Sequence, residues 1–246
     1  MIVERSMHPD WLSNAYVVAD EPGGSAVIID SGGPSEALLE AIEKLGVAPT
    51  HLLLTHHHGD HVAENHVYKE KFNVEIVADP VESEELMDVD RHIVSGETLQ
   101  VGGLHIQAIA TPGHTAGMLS FLINDEDVFT GDTLFKGSVG GVRAPGSTTF
   151  EDLRHSIMDV LMKLRPEVTI RPGHTDPTTI GDEWENNAFI RVWRGLDPEG
   201  SEKCTVAGEE ATLVLWAPDY DGGHKAWVRW SSGKDDIVPG SRVERS

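Results

Sequence analysis

Residues 55–61 read THHHGDH, a spacing that can place several metal ligands in one short loop. The loop continues a run, HLLLT (51–55), that reads as a short buried strand. In extended backbone, side chains at i and i+2 point the same way, so His56 and His58 can present both imidazoles to one cation. His57 then points the opposite way and serves as a spacer. Gly59 permits a sharp turn that brings Asp60 and His61 round to a second position nearby. The loop therefore supplies two ligand pairs, enough to begin two adjacent metal sites. A solvated, histidine-rich polar loop is the competing reading.

Further donors decide between the two. His114 in TPGHT (111–115), Asp132 in TGDT (130–133) and His174 in RPGHT (171–175) each end an apolar run that reads as a strand. Loops at one end of the strands of an α/β sheet converge, and ligand sites are built there. This joint placement favours a metal site over scattered surface histidines.

The elements that must carry these residues alternate between strands and helices as far as about residue 194. AYVVAD (15–20) and SAVIIDSGG (25–33), separated by EPGG, predict a hairpin. SEALLEAIEKLG (35–46) predicts a helix with Leu38, Leu39, Ile42 and Leu45 on one face and Gly46 as its cap. HVAENHVYKEKF (61–72) reads as a second helix and VEIVAD (74–79) as a strand. Strands follow over 104–111, 118–124 and 127–132, then an amphipathic helix over 150–164, a strand over 168–174 and a helix near 181–192. Two βα-rich halves of similar size predict two sheets packed face to face with helices outside. After RGLDPEG (194–200) the helical period disappears, which predicts a catalytic domain over residues 1–195 and a small β-rich module of three or four strands over 196–246. Trp216, Trp227 and Trp230 are read as filling the thin core of that module rather than forming a ligand strip.

IIDSGG, LLLTHHHGDH, TPGHTAG, GDTLF and PGHT, in this order, resemble the metallo-β-lactamase superfamily, and most of all its hydroxyacylglutathione hydrolase (glyoxalase II-like) branch. The resemblance spans roughly residues 10–190 and implies an αββα sandwich with metals at one edge of the paired sheets. It implies that His56, His58 and His114 bind one metal, that Asp60, His61 and His174 bind the other, and that Asp132 bridges them. Asp30 matches a position that supports the cage from behind. Imidazole and carboxylate ligands without thiolate suit two zinc ions per chain, with iron or manganese as alternatives.

Two close cations that share a water lower its pKa and yield a metal-bound hydroxide near neutral pH, with Asp60 placed to aim it. The expected reaction is hydrolysis of an activated carbonyl: a thioester, a lactone or a lactam. A thiol leaves as thiolate without a proton donor, whereas an alkoxide or amine needs one. Lactonases of this superfamily place a tyrosine near the cage. Tyr16, Tyr68 and Tyr220 are the only tyrosines, and none flanks a ligand in sequence, which favours a thioester. A lactonase or β-lactamase-type hydrolase is the alternative, followed by a persulfide dioxygenase with one iron. The stretch KGSVGGVRAPGS (136–147) departs from the pattern that grips glutathione in the family, leaving Lys136 and Arg143 as candidate substrate contacts.

Composition narrows the partners. A hydrophobic share of 39% is ample for a core, while 41 acidic against 19 basic residues give a formal charge of -22. Such a chain repels phosphate backbones and anionic headgroups, so a small-molecule acyl substrate is expected rather than nucleic acid or membrane. Cys204 stands alone, which excludes an internal disulfide and a multi-cysteine zinc site. The N-terminus has no apolar core of a signal peptide, and a cytoplasmic location is expected.

Overall fold

The computed structural model describes residues 1–245. They form two compact units that interleave along the chain. The first comprises Met1–Ala110, Gly117–Gly131 and Arg171–Thr175; the second comprises Thr111–Ala116, Asp132–Ile170 and residues 176–245. The expected boundary near residue 195 is not the border between them.

In the first unit, β1 (Ile2–Met7), β2 (Asn14–Ala19), β3 (Ser25–Ile29), β4 (Ala48–Leu53), β5 (Glu75–Ala78) and β6 (Arg91–His92) make one sheet in that order. The first three are antiparallel, and β3 to β6 are parallel. A second, antiparallel sheet runs β10 (Asp127–Gly131), β9 (Leu119–Ile123), β8 (Leu104–Ala110), β7 (Thr98–Val101). Period-two alternation gives the first sheet two apolar faces. Tyr16, Val18, Val27, Ile29, Leu53 and Val77 pack against Ile106, Ala108, Leu119, Phe121 and Phe129 of the second sheet. Val17, Ile28, Leu52 and Ile76 pack instead under Leu38 and Ile42 of α1 (Ser35–Leu45) and Tyr68 of α3 (Asn65–Phe72). The face-to-face sheets read from the sequence are therefore present, with helices on the outer side of the first.

The parallel register sets the site. Ile29 of β3 lies beside Leu53 of β4, so both strands end at the same level and release Asp30 and the histidine loop side by side. The helix expected over 61–72 is broken into α2 (Gly59–Val62) and α3. The cause is Ser31, whose N–H donates to the His61 carbonyl at 2.7 Å and whose carbonyl accepts from Glu64 N–H at 3.1 Å. A continuous helix would need both of those groups for its own ladder. Gly32 is required at this crossing, because a Cβ there would lie 1.4 Å from the Asp60 carbonyl oxygen.

The second unit contains the hairpin β11 (Leu134–Phe135) and β12 (Ser138–Val139), and α4 (Phe150–His155), which continues as a π-helical turn over Ser156–Val160. The strands β13 (Thr169–Pro172) and β14 (Thr178–Thr179) pair through Thr169 and Ile170. The single helix expected near 181–192 is two, α5 (Ile180–Asn186) and α6 (Ala188–Trp193). Asn187 is extended, and its side chain accepts from Phe189 N–H at 3.0 Å, capping a new helix.

The C-terminal sheet has five strands rather than three or four: β15 (Glu202–Val206), β16 (Glu209–Pro218), β17 (His224–Trp230), β18 (Asp235–Pro239) and β19 (Val243–Arg245), in the order β18-β17-β16-β15-β19. The sequence VER of β19 carries no apolar alternation, and only its pairing with β15 defines it. Trp216 and Trp230 pack on Val206, Leu213 and Val228 on one face. Trp227 turns to the other, 5.1 Å from Phe150 and 6.3 Å from Trp193 between ring centroids. All three thus serve packing. Trp227→Ala is expected to lower the unfolding free energy by about 3–5 kcal/mol in urea titration, and an unchanged midpoint would contradict this packing role.

Candidate metal centre

Asp30 is the buried pivot of the first unit's ligands. It is 2% exposed, and its two oxygens accept from the Thr55 N–H and the Thr55 hydroxyl, each at 2.8 Å. Its second oxygen also lies 3.0 Å from His61 Nδ1. The carboxylate accepts a hydrogen bond from Nδ1–H and turns Nε2 of His61, the candidate ligand nitrogen, towards Asp60 Oδ2 at 3.6 Å. His174 Nε2 lies 3.5 Å from the same Asp60 oxygen. The ligand atoms of Asp60, His61 and His174 all fall within 4.8 Å of one another. Donors about 2.0–2.2 Å from a tetrahedral zinc stand roughly 3.3–3.6 Å apart, so these separations fit a cation between them.

His174 comes from a distant part of the chain and is held by the first hairpin. Asn14 N–H donates to the Gly173 carbonyl at 2.7 Å, and the Asn14 amide group donates to Pro172 and Thr175 carbonyls at 2.9 and 2.8 Å. The Tyr16 hydroxyl donates to the Pro172 carbonyl at 2.7 Å. Burial raises its pKa well above the ordinary tyrosine range, so it stays protonated and a donor.

His56 and His58 stand as the two-residue spacing predicts, with ring centroids 4.6 Å apart and His58 in extended backbone. Thr55 Oγ1 lies 3.0 Å from His56 Nδ1, which leaves Nε2 as its candidate ligand nitrogen. His57 is turned away, and both its backbone N–H and Nδ1 meet one carboxylate oxygen of Glu82. The other oxygen accepts from Gly117 N–H at 2.8 Å, and Glu82 is only 1% exposed. Sequence reasoning missed this anchor. Glu82 sits in the acidic stretch VESEE, which reads as a solvated face, and no spacing links it to His57.

The second unit brings together His114 and Asp132. His114 Nδ1 donates to the Gly141 carbonyl at 2.8 Å, and Nε2 lies 3.5 Å from Asp132 Oδ2. Gly113 is fixed by close packing, since a Cβ there would come within 2.6 Å of Leu153 Cα. Both residues open onto a cavity of about 610 Å³, whose wall includes Phe135, Arg143, Tyr220, Ile237 and Arg242. Arg143, one of the two candidate substrate contacts, is therefore at the cavity, while Lys136 is exposed and does not line it. The absence of a tyrosine near the ligands, expected from the sequence, does not hold. The turn after β16 carries Tyr220 into the wall shared with His114 and Asp132, and its ring meets Phe135 at 5.1 Å.

The family model of the metallo-beta-lactamase superfamily matches residues 8–174. The chain belongs to the metallo-β-lactamase superfamily. Its fold is that family's αββα sandwich. It is 34% identical over 214 residues to a hydroxyacylglutathione hydrolase of Mesorhizobium japonicum, covering 71% of this chain and 81% of that one. It is 30% identical over 195 residues to a probable polyketide biosynthesis zinc-dependent hydrolase, BaeB, of Bacillus velezensis, covering 76% and 86%. Among solved structures it resembles TTHA1623 in a di-iron-bound form, with TM-score 0.63, 30% identity and coverage of 75% and 98%. No helix among the described residues is long and apolar enough to cross a membrane. The superfamily match and the names of these relatives make the chain a metal-dependent hydrolase.

Asp30→Asn keeps the left-handed backbone at this position (φ 56°), which asparagine tolerates, but removes the charge that orients His61. It is expected to weaken metal binding about 10–100-fold in chelator competition, and wild-type affinity would remove Asp30 from this role.

Proposed function

We propose that the protein hydrolyses a thioester with the help of two metal ions, in the manner of the glyoxalase II-like branch. His56, His58 and His114 would hold one ion, Asp60, His61 and His174 the other, and Asp132 would bridge them. The observation that carries this reading is the Asp60–His61–His174 triple, whose donor spacing fits a second cation beyond the HxH site. Bound there, the pair of ions would acidify water and polarise the substrate carbonyl. The remaining chemistry falls to the chain's own groups. Asp60 accepts a hydrogen bond from the attacking water and aims it. His61 and His114 are held in one tautomer by Asp30 and the Gly141 carbonyl, so their ligating nitrogens do not have to reorient during turnover. Arg143 on the cavity wall is placed to meet an anionic part of the substrate.

Zinc is the proposed metal on the ligand set and on the printed name of the Bacillus relative; the di-iron neighbour makes iron the alternative. The thioester class rests on the hydroxyacylglutathione hydrolase relative and on a thiolate's ability to leave without a proton donor. Tyr220 favours a second reading, lactone hydrolysis, because its hydroxyl could protonate an alkoxide leaving group in the same cavity. A soluble acyl substrate and a cytoplasmic location are part of this proposal.

The test is a panel on metal-quantified protein: S-lactoylglutathione, simple acyl thioesters, acyl-homoserine lactones and a chromogenic cephalosporin. Thioesters are expected to turn over fastest; strong lactone turnover with inert thioesters would replace the first reading by the second. Oxygen uptake with a persulfide and a single iron per chain would overturn both. His58→Ala and Asp60→Ala are each expected to lower kcat/KM by about 10²–10³-fold, a loss of several kcal/mol of transition-state stabilisation. Full activity in either variant would sink the mechanism.

A further inference from the structure

The C-terminal sheet contains a buried cation that the proposed reaction does not use. Lys225, at the start of β17, is 6% exposed. Its Nζ donates to the Val139 carbonyl at 2.7 Å and lies 3.2 Å from Asp219 Oδ2. The other Asp219 oxygen accepts from the Ser138 hydroxyl at 2.8 Å and from Tyr220 N–H at 2.9 Å. The pair therefore grips both residues of β12 at once. Lys225 also faces the rings of Phe135 and Tyr220, with Nζ 5.2 and 5.4 Å from their centroids.

The hairpin held in this way is tied down on its other side as well. Gly137 N–H donates to Glu183 at 2.9 Å, and Asn187 donates to the Ser138 carbonyl at 3.2 Å. Two residues past Val139, the Gly141 carbonyl accepts the His114 Nδ1 proton that aims Nε2 towards Asp132. Gly140 between them has no room for adjustment, because a Cβ there would lie 1.9 Å from the Asp132 carbonyl oxygen. A shift of β12 is thus passed to His114 through two residues of backbone.

We infer that the C-terminal β sheet is a working part of the metal centre: Lys225 and Asp219 are a positioning pair that fixes His114 through the β11–β12 hairpin. The strand β18 and the turns of the same module supply Ile237, Tyr220 and Arg242 to the cavity in front of that histidine, so holding the histidine and shaping the pocket fall to one module. This rests on the proposed ligand role of His114. A purely structural pair would behave differently: breaking it would lower stability, because the remaining charge is left buried and unpaired, without singling out one of two bound ions.

The experiment compares Lys225→Met and Asp219→Asn with the wild type as full-length, metal-loaded proteins. It measures metal affinity by chelator competition, thermal midpoint, kcat and KM on the fastest thioester, and the histidine ring ¹⁵N spectrum. Loosening His114 is expected to weaken one of two bound ions about 10-fold or more and to lower kcat with little change in KM. The Nδ1-protonated signal of one histidine should broaden or shift, and the thermal midpoint should fall as well, since one charge of the buried pair is left unpaired. Glu202→Gln, which breaks the Arg245–Glu202 pair on the edge of the same sheet, is expected to leave all four readouts at wild type. Wild-type metal affinity and kcat in a folded Lys225→Met protein would overturn the inference. So would equal weakening of both ions together with a lowered midpoint. Should Lys225→Met fail to fold, Ser138→Ala removes only the hydroxyl contact to Asp219 and answers the same question. Because affinity and ring spectra are read without turnover, an inert wild type would count against the thioester reading alone.

Discussion

The first unit's ligands depend on one buried carboxylate. Asp30 leaves the end of β3 in a left-handed conformation and bonds the backbone and hydroxyl of Thr55 as well as the ring of His61. Those three contacts tie together the start of the histidine loop, its end and the neighbouring parallel strand. The glycine at residue 32 lets the loop cross directly over this point. Without the carboxylate, the loop would have to satisfy buried donors alone, at a cost of about 1–3 kcal/mol for each one left unmade.

The histidine loop carries a second anchor of the same kind on its opposite side. Glu82 holds His57 through both its backbone and its ring, so the residue between His56 and His58 is fixed by a carboxylate outside the candidate ligand set. The loop is thus clamped between Asp30 and Glu82, each nearly inaccessible to water. In the second unit a backbone carbonyl does the equivalent work for His114. In His56, His61 and His114 one ring nitrogen meets the protein, which leaves the other as the candidate ligand atom. Crowding imidazoles and carboxylates in a buried place is costly for an empty site, so metal binding and the stability of this region should be coupled.

The candidate ligands were legible in the sequence because their geometry is local. A two-residue spacing in extended backbone fixes how His56 and His58 point, and strand-end motifs mark His114, Asp132 and His174 without knowledge of the pairing. The apolar runs likewise revealed two facing sheets. What the sequence concealed is non-local. Ser31 breaks the expected helix over 61–72 by taking its hydrogen bonds, Glu82 reaches His57 from 25 positions away, and the turn after β16 delivers Tyr220 to the cavity. β19 shows no apolar alternation and exists through its partner strand alone. In each case the deciding contact joins segments whose composition gives no sign of meeting.

The central claim is that these residues hold two cations rather than one. Metal analysis of the purified protein, combined with anomalous X-ray scattering from crystals, tests it most directly. The account predicts two ions per chain, one bound at the HxH site and one between Asp60, His61 and His174, with the second ion lost in His174→Ala. A single ion at the HxH site, with Asp60 and His174 uninvolved at saturating metal, would contradict it.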